Sequence, residues 1–300
     1  MYKEKVRSLD NLPSKTKLTY CKLLSLMVTT DGELNQLKVA ELYRLMANIK
    51  LNSCMRERVI EYILSQEKEP LEEMCTKALA DLNQQEQNIL RFSLMKDLIN
   101  VMKADHSENQ EEKDYLSKIQ SIYKITDEQL SFFTEEYQKD KAFNLNAEKD
   151  IALMIKNTTV KALAIGIPIT AVYFSGCYKG LGPIGILSGL LGLSRMKPHK
   201  KKSYSTGLAI SIAMGFATYY SLKWLVNLDS QNQMKLRNLL MEEMKKIHER
   251  GIAYINEDIN SINARLTHDE DTNKIIMLQE VLLHLEKAKG TLENTEPHLI

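Results

Sequence analysis

Three hundred residues suffice for two ordinary domains, or for one domain with a membrane module. Forty basic against 39 acidic residues leave a net charge of +1, which excludes a chain-wide nucleic-acid signature and leaves any basic partner surface to be local. Only six prolines, no Asn-Gly hairpin signal and abundant Leu, Lys, Glu and Met point to an all-α fold.

Cys21, Cys54, Cys75 and Cys177 are scattered without a CxxC pair, as buried free thiols of a reducing compartment would be. The N-terminal Met-Tyr-Lys-Glu-Lys has no hydrophobic signal-peptide core, which argues against secretion.

Ser14 opens the first helix, with Leu18, Cys21, Leu24 and Val28 at helical spacing. It stops at Thr30-Asp31-Gly32-Glu33, where Gly32 can take a positive φ. Asn35 is the predicted cap of a second helix, whose apolar positions are Leu37, Leu42, Leu45 and Ile49. Asn52-Ser53 opens a third, ending near Ser65. Pro70, followed by Glu72 and Glu73, suits a helix N-terminus and its dipole. Asn83 to Glu86 resembles a capping box and opens a long helix through Met102. Two more helices follow, one to about Tyr123 and one from Thr126.

These elements repeat. A shift of 74 positions places Asp31 on Asp105, Leu24 on Leu98, Asn35 on Asn109, Gln36 on Gln110, Leu42 on Leu116 and Lys50 on Lys124. Such a pattern predicts an internal duplication and a pseudo-two-fold helical bundle.

On these residues, about 14 to 135, the chain resembles the TerB-like family of tellurite-resistance and stress proteins. That family is a duplicated helical bundle whose Asp-Gly turns are followed by a glutamate seven residues on, and its acidic turns are associated with divalent metal binding. Asp31-Gly32 matches the first turn, with Lys38 at the glutamate position. Asp105 matches the second, with His106 in place of glycine and Glu112 at the glutamate position. A lysine there places positive charge beside any ion.

Read from the residues, Asp31, Glu33, Asp105, Glu108, Glu111 and Glu112 would gather several carboxylates if the two turns face each other, a set suited to Ca²⁺ or Mg²⁺. The other reading is that they cap helices and oppose dipoles. Asp31, Glu33, Asp105, Glu108 and Glu112 are the candidate metal ligands; the expected cofactor is a divalent cation, or none.

Residues 143–161 are expected to form an amphipathic connecting helix with Ile151, Leu153, Met154 and Ile155 as apolar positions. From 162 to 228 the composition changes. Ala162 to Ser194 holds one charged residue, Lys179, and Ser203 to Leu222 holds none. Nine of the twelve glycines lie between Gly166 and Gly215. A single helix over the first run would be roughly 50 Å long against a hydrocarbon core of about 30 Å. Gly180, Gly182 and Pro183 break it, so a kinked span or re-entrant hairpin fits, and Thr206 to Leu228 is of ordinary spanning length. Buried core helices are the competing reading.

Arg195, Lys197, Lys200, Lys201 and Lys202 lie in a basic loop, 195–203, suited to anionic headgroups, and Trp224 is an interface anchor. Lys149, Lys156, Lys161, Lys223, Lys235 and Arg237 flank the module, so the positive-inside rule selects no orientation. Gly185 and Gly189, and Gly207, Ser211 and Gly215, provide small surfaces at four-residue spacing, for helix packing within one chain or in a homo-oligomer.

Residues 229–300 predict a helical hairpin or coiled-coil stalk. The stripe Leu236, Leu240, Met244, Ile247, Gly251, Ile255, Ile259, Ile262, Leu266 advances by three or four residues, and Ile275, Leu278, Leu282, Leu285 and Ala288 line a second helix. No nucleotide, zincin or hydrolase motif is present and the six histidines are dispersed, so no enzyme is expected. The resemblance and the hydrophobic module together suggest a bacterial stress or phage-defence sensor or effector at the inner membrane. The bundle (1–142) and stalk would be cytoplasmic, the partners a lipid bilayer and a protein or second copy, with no nucleic acid. A non-catalytic membrane scaffold and a soluble helical adaptor are the alternatives.

Overall fold

The computed structural model describes residue 7 and residues 9–142, 151–168, 171, 230–267 and 271–295. Among the described residues there are ten α-helices, a short 3₁₀ turn at Leu9–Asn11 and no strand. The bundle comprises α1 (Ser14–Thr29), α2 (Gln36–Asn48), α3 (Ser53–Leu64), α4 (Leu71–Leu79), α5 (Gln84–Met102), α6 (Gln110–Tyr123) and α7 (Asp127–Ala142). It is followed by α8 (Ile151–Ala164), and after the intervening sequence by α9 (Ser230–Leu266) and α10 (Thr272–Asn294).

Asparagines start α2, α3, α5 and α6 because their side chains satisfy otherwise unpaired first-turn N–H groups. Asn35 Oδ1 accepts from Leu37 N at 2.8 Å, and Asn52 Oδ1 from Met55 N at 2.9 Å. Asn83 with Glu86, and Asn109 with Glu112, form complete capping boxes. Pro70 is the N-cap of α4, one position before the first turn.

At the 74-residue shift the backbone corresponds as well. The starts of α2 and α3 fall on those of α6 and α7. Gly32 and His106 both take positive φ, at 82° and 63°, and Lys50 and Lys124 do so at 54° and 53°. Leu51 N donates to Met46 O and Ile125 N to Gln120 O, both at 3.0 Å, so the two helices finish in the same closing turn. Lys17 Nζ caps the end of α2 through Ile49 O at 3.2 Å, and Arg91 Nη1 caps α6 through Tyr123 O at 3.4 Å.

The core is built on α2 and α5. Every residue from Lys38 to Ala47 is buried, as is every residue from Phe92 to Met102. A helix buried all round needs cover on both sides. For α2 one side is the bundle and the other is the hairpin of α9 and α10, which pack on each other and on α2. Met244, Ile247, Ile255 and Ile262 of the stripe are buried, with Leu278, Leu285 and Ala288 opposite. Gly251 of α9 faces both partners: a Cβ there would meet Arg44 Cα at 3.8 Å and Leu292 Cδ1 at 3.7 Å, ordinary van der Waals contact. The stalk is therefore a cover for the bundle.

Helix α8 lies on α7. Thr158 Oγ1 donates to the buried Glu136 Oε2 at 3.3 Å, and Gln129 Nε2 donates to Ile165 O at 2.9 Å. Ala162, Ile167 and Ala171, which the sequence places at the start of the hydrophobic module, are buried with the bundle core. Leu153 is half exposed; the side chains of Ile151, Met154 and Ile155 lie outside the described residues. No helix among the described residues is long and apolar enough to cross a membrane.

Candidate functional site

The turn after α1 and the turn after α5 meet at one atom, the ammonium nitrogen of Lys38. Lys38 Nζ lies 2.8 Å from Asp31 Oδ2, 3.2 Å from Asp105 Oδ2 and 2.5 Å from Glu112 Oε1. Lys38 and the Glu112 side chain are fully buried, and Asp105 nearly so. Local turns aim the carboxylates. Ser107 N donates to Asp105 Oδ1 at 3.0 Å and Glu33 N to Asp31 Oδ1 at 3.4 Å, so both aspartates fold back on their own loops. Glu112 is held from behind by Asn109 N, which donates to Oε2 at 3.1 Å. The ammonium donates a hydrogen bond to Asp31 Oδ2 and stands in ion-pair contact with Asp105 and Glu112. Burial alone would push the Lys38 amine down, but the bonds from Asp31, Glu112 and Asp105 outweigh it and hold the amine well above the ordinary lysine range.

Of the five candidate metal ligands, Asp31, Asp105 and Glu112 converge. Glu33 and Glu108 do not: Glu33 is exposed beside the first turn, and Glu108 pairs with Lys103 and, at 3.7 Å, Lys113. Among the described residues no group of three or more His, Cys, Asp or Glu stands ready to hold a metal ion. The carboxylates converge on Lys38 Nζ, so a cation at that point would have to displace the ammonium. Lys38 and Glu112 are equivalent at the 74-residue shift, both being the third residue of their helices. Equivalent positions of the 74-residue shift thus meet with opposite charges. The candidate lipid contacts Arg195, Lys197, Lys200, Lys201, Lys202 and Trp224, and the packing residues Gly185, Gly189, Gly207, Ser211 and Gly215, lie outside the described residues.

A second buried charge centre, missed in the sequence reading, joins the hairpin to the bundle. Arg56 of α3 is 1% exposed. Its Nε donates to Asp258 Oδ2 and its Nη2 to Asp258 Oδ1, both at 2.9 Å. Nη2 also donates to Glu257 Oε2 at 2.6 Å and Nη1 to Leu51 O at 3.2 Å. The Tyr254 ring stacks under the guanidinium at 3.8 Å, and Tyr43 Oη donates to Asp258 Oδ2 at 2.8 Å. Removing one partner of such a pair costs about 3–5 kcal/mol, because the other is left charged and buried. Arg250 Nη1 donates to Ala47 O at 3.1 Å, and Ser261 Oγ to Glu57 Oε1 at 2.8 Å. The only advance signal was an arginine and an aspartate on the otherwise apolar sides of their helices.

Neither centre has the form of a catalytic constellation, since its acids are engaged by cations. A cavity of about 340 Å³ is lined by Cys75, Thr76, Leu79, Ala80, Gln87, Ile122 and Tyr123. Burial pushes the Cys75 thiol up to about 11, so it stays protonated at neutral pH. Gln87 Nε2 is engaged by Leu79 O and Leu82 O at 3.3 and 3.0 Å.

No family model, no curated protein and no solved structure matches the sequence.

Proposed function

We propose that this chain is a non-catalytic membrane-associated protein. The bundle and its covering hairpin form a sensing or docking body, and the sequence between α8 and α9 is the anchor or effector in the bilayer. The observation that carries this reading is the contrast between the two parts. The body directs its buried charges at one another across helix contacts, at Lys38 and at Arg56. The run from Ala162 to Ser194 has one charged residue, and Ser203 to Leu222 none. An internal duplication accounts for the corresponding caps and turns of α1–α3 and α5–α7. With the TerB-like resemblance, it supports a role in bacterial stress or phage defence at the inner membrane.

The test is fractionation of the full chain. It is expected to remain in the membrane pellet after an alkaline carbonate wash, and recovery in the supernatant would replace this reading with a soluble helical adaptor. Dye release from liposomes then separates an effector from a passive scaffold.

A further inference from the structure

The hydrophobic sequence is bracketed by two helices that are both fastened to the bundle. On its N-terminal side, α8 is tied to α7 through Thr158 and Gln129, and Ala162, Ile167 and Ala171 are sealed into the core. On its C-terminal side, α9 is tied to α2 and α3 through Asp258, Arg250 and Ser261. Resting on the membrane reading above, we infer that the bundle and the hairpin stand on the same face of the bilayer. The sequence between Ala171 and α9 then begins and ends on that face.

The alternative is a net single crossing, with the hairpin on the far side. It would separate Arg56 from Asp258 and leave a guanidinium that is 1% exposed without its bidentate partner. It would strip the cover from α2, whose residues from Lys38 to Ala47 are all buried. It would also require the hairpin's charges, among them Lys245, Lys246, Glu249 and Arg250, to pass through lipid. Basic residues are nearly balanced between the inner loop, five in 195–202, and the outer flanks, six, so the positive-inside rule selects no orientation. The docked contacts select the shared face.

Labelling of the full chain in sealed vesicles tests this. Cys54 is exposed on α3, and Cys21 and Cys75 are buried. In a Cys177→Ser background, native Cys54 reports the bundle. Glu286→Cys at an exposed position of α10, with Cys54→Ser, reports the hairpin. The chain with Cys54→Ser and Cys177→Ser alone gives the baseline. A membrane-impermeant maleimide is added to right-side-out and to inside-out vesicles. Both reporters are expected to label in the same vesicle orientation and to be protected in the other until detergent is added. Labelling in opposite orientations, in a chain that resists the alkaline wash, would overturn the shared face alone. Release of the chain by the wash would overturn the membrane reading and this inference with it.

Discussion

Lys38 is the residue on which the two halves of the bundle meet. Its contribution depends on charge, because three carboxylates that tolerate burial beside an ammonium repel one another without it. Lys38→Met should therefore lose about 3–5 kcal/mol of unfolding free energy at pH 7. In that variant the crowded carboxyls take protons more readily, and the folded state binds more protons than the unfolded one. The loss should shrink as the pH is lowered towards 5. Chemical denaturation at the two pH values checks this, and an equal loss at both would mean that the lysine acts through packing. Lys38→Glu makes the two turns alike and puts four carboxylates at one point. It should be less stable than the parent in chelator, and its melting temperature should rise with millimolar Ca²⁺ or Mg²⁺ by mass action. A melting temperature indifferent to both ions would end the idea that these turns have the makings of a cation site.

At the scale of elements, the contact between α2 and the hairpin contains its own titratable group. His248 on α9 is buried, with Arg44 of α2 and Leu292 of α10 nearby. Desolvation, followed by the Arg44 charge, holds its imidazole below the ordinary histidine value. A depressed folded-state value means stability fully present above the unfolded pKa of about 6.5 and lost as pH falls through the folded one. The melting temperature should thus fall on going from pH 7.5 to 5.5, and His248→Gln should flatten that part of the profile. An unchanged slope in the variant would assign the pH dependence elsewhere, for example to the similarly depressed His284 on α10. Helix starts were legible in the sequence because Asn35, Asn52, Asn83 and Asn109 act on backbone groups within three residues of themselves. The second side of α2 was not legible. Its apolar set of Leu37, Leu42, Leu45 and Ile49 describes one face, while Tyr43 and Arg44 look like a solvated face until a helix some 200 residues away covers them. Arg56 and Asp258 were opaque for the same reason, each being interpretable only beside the other.

For the whole molecule, the consequence is a change from beads on a string to one body in which the hairpin docks on the bundle. The sequence shows the composition break near residue 162, but packing moves the practical boundary: Ala162, Ile167 and Ala171 serve the bundle core. Short-range chemistry cannot distinguish an apolar residue destined for protein interior from one destined for lipid. The claim that everything else rests on is that the hairpin stays docked on the bundle in the intact chain. Glu57 of α3 and Ser261 of α9, in hydrogen-bond contact at 2.8 Å, provide the most direct reading of it. With Glu57→Cys and Ser261→Cys introduced together, and Cys54 and Cys177 replaced by serine, a short bis-maleimide is applied to the full native chain. The docked body predicts one intramolecular product of altered gel mobility, formed in good yield and independent of protein concentration. Failure to form it, or formation only of species linking two chains, would contradict the account.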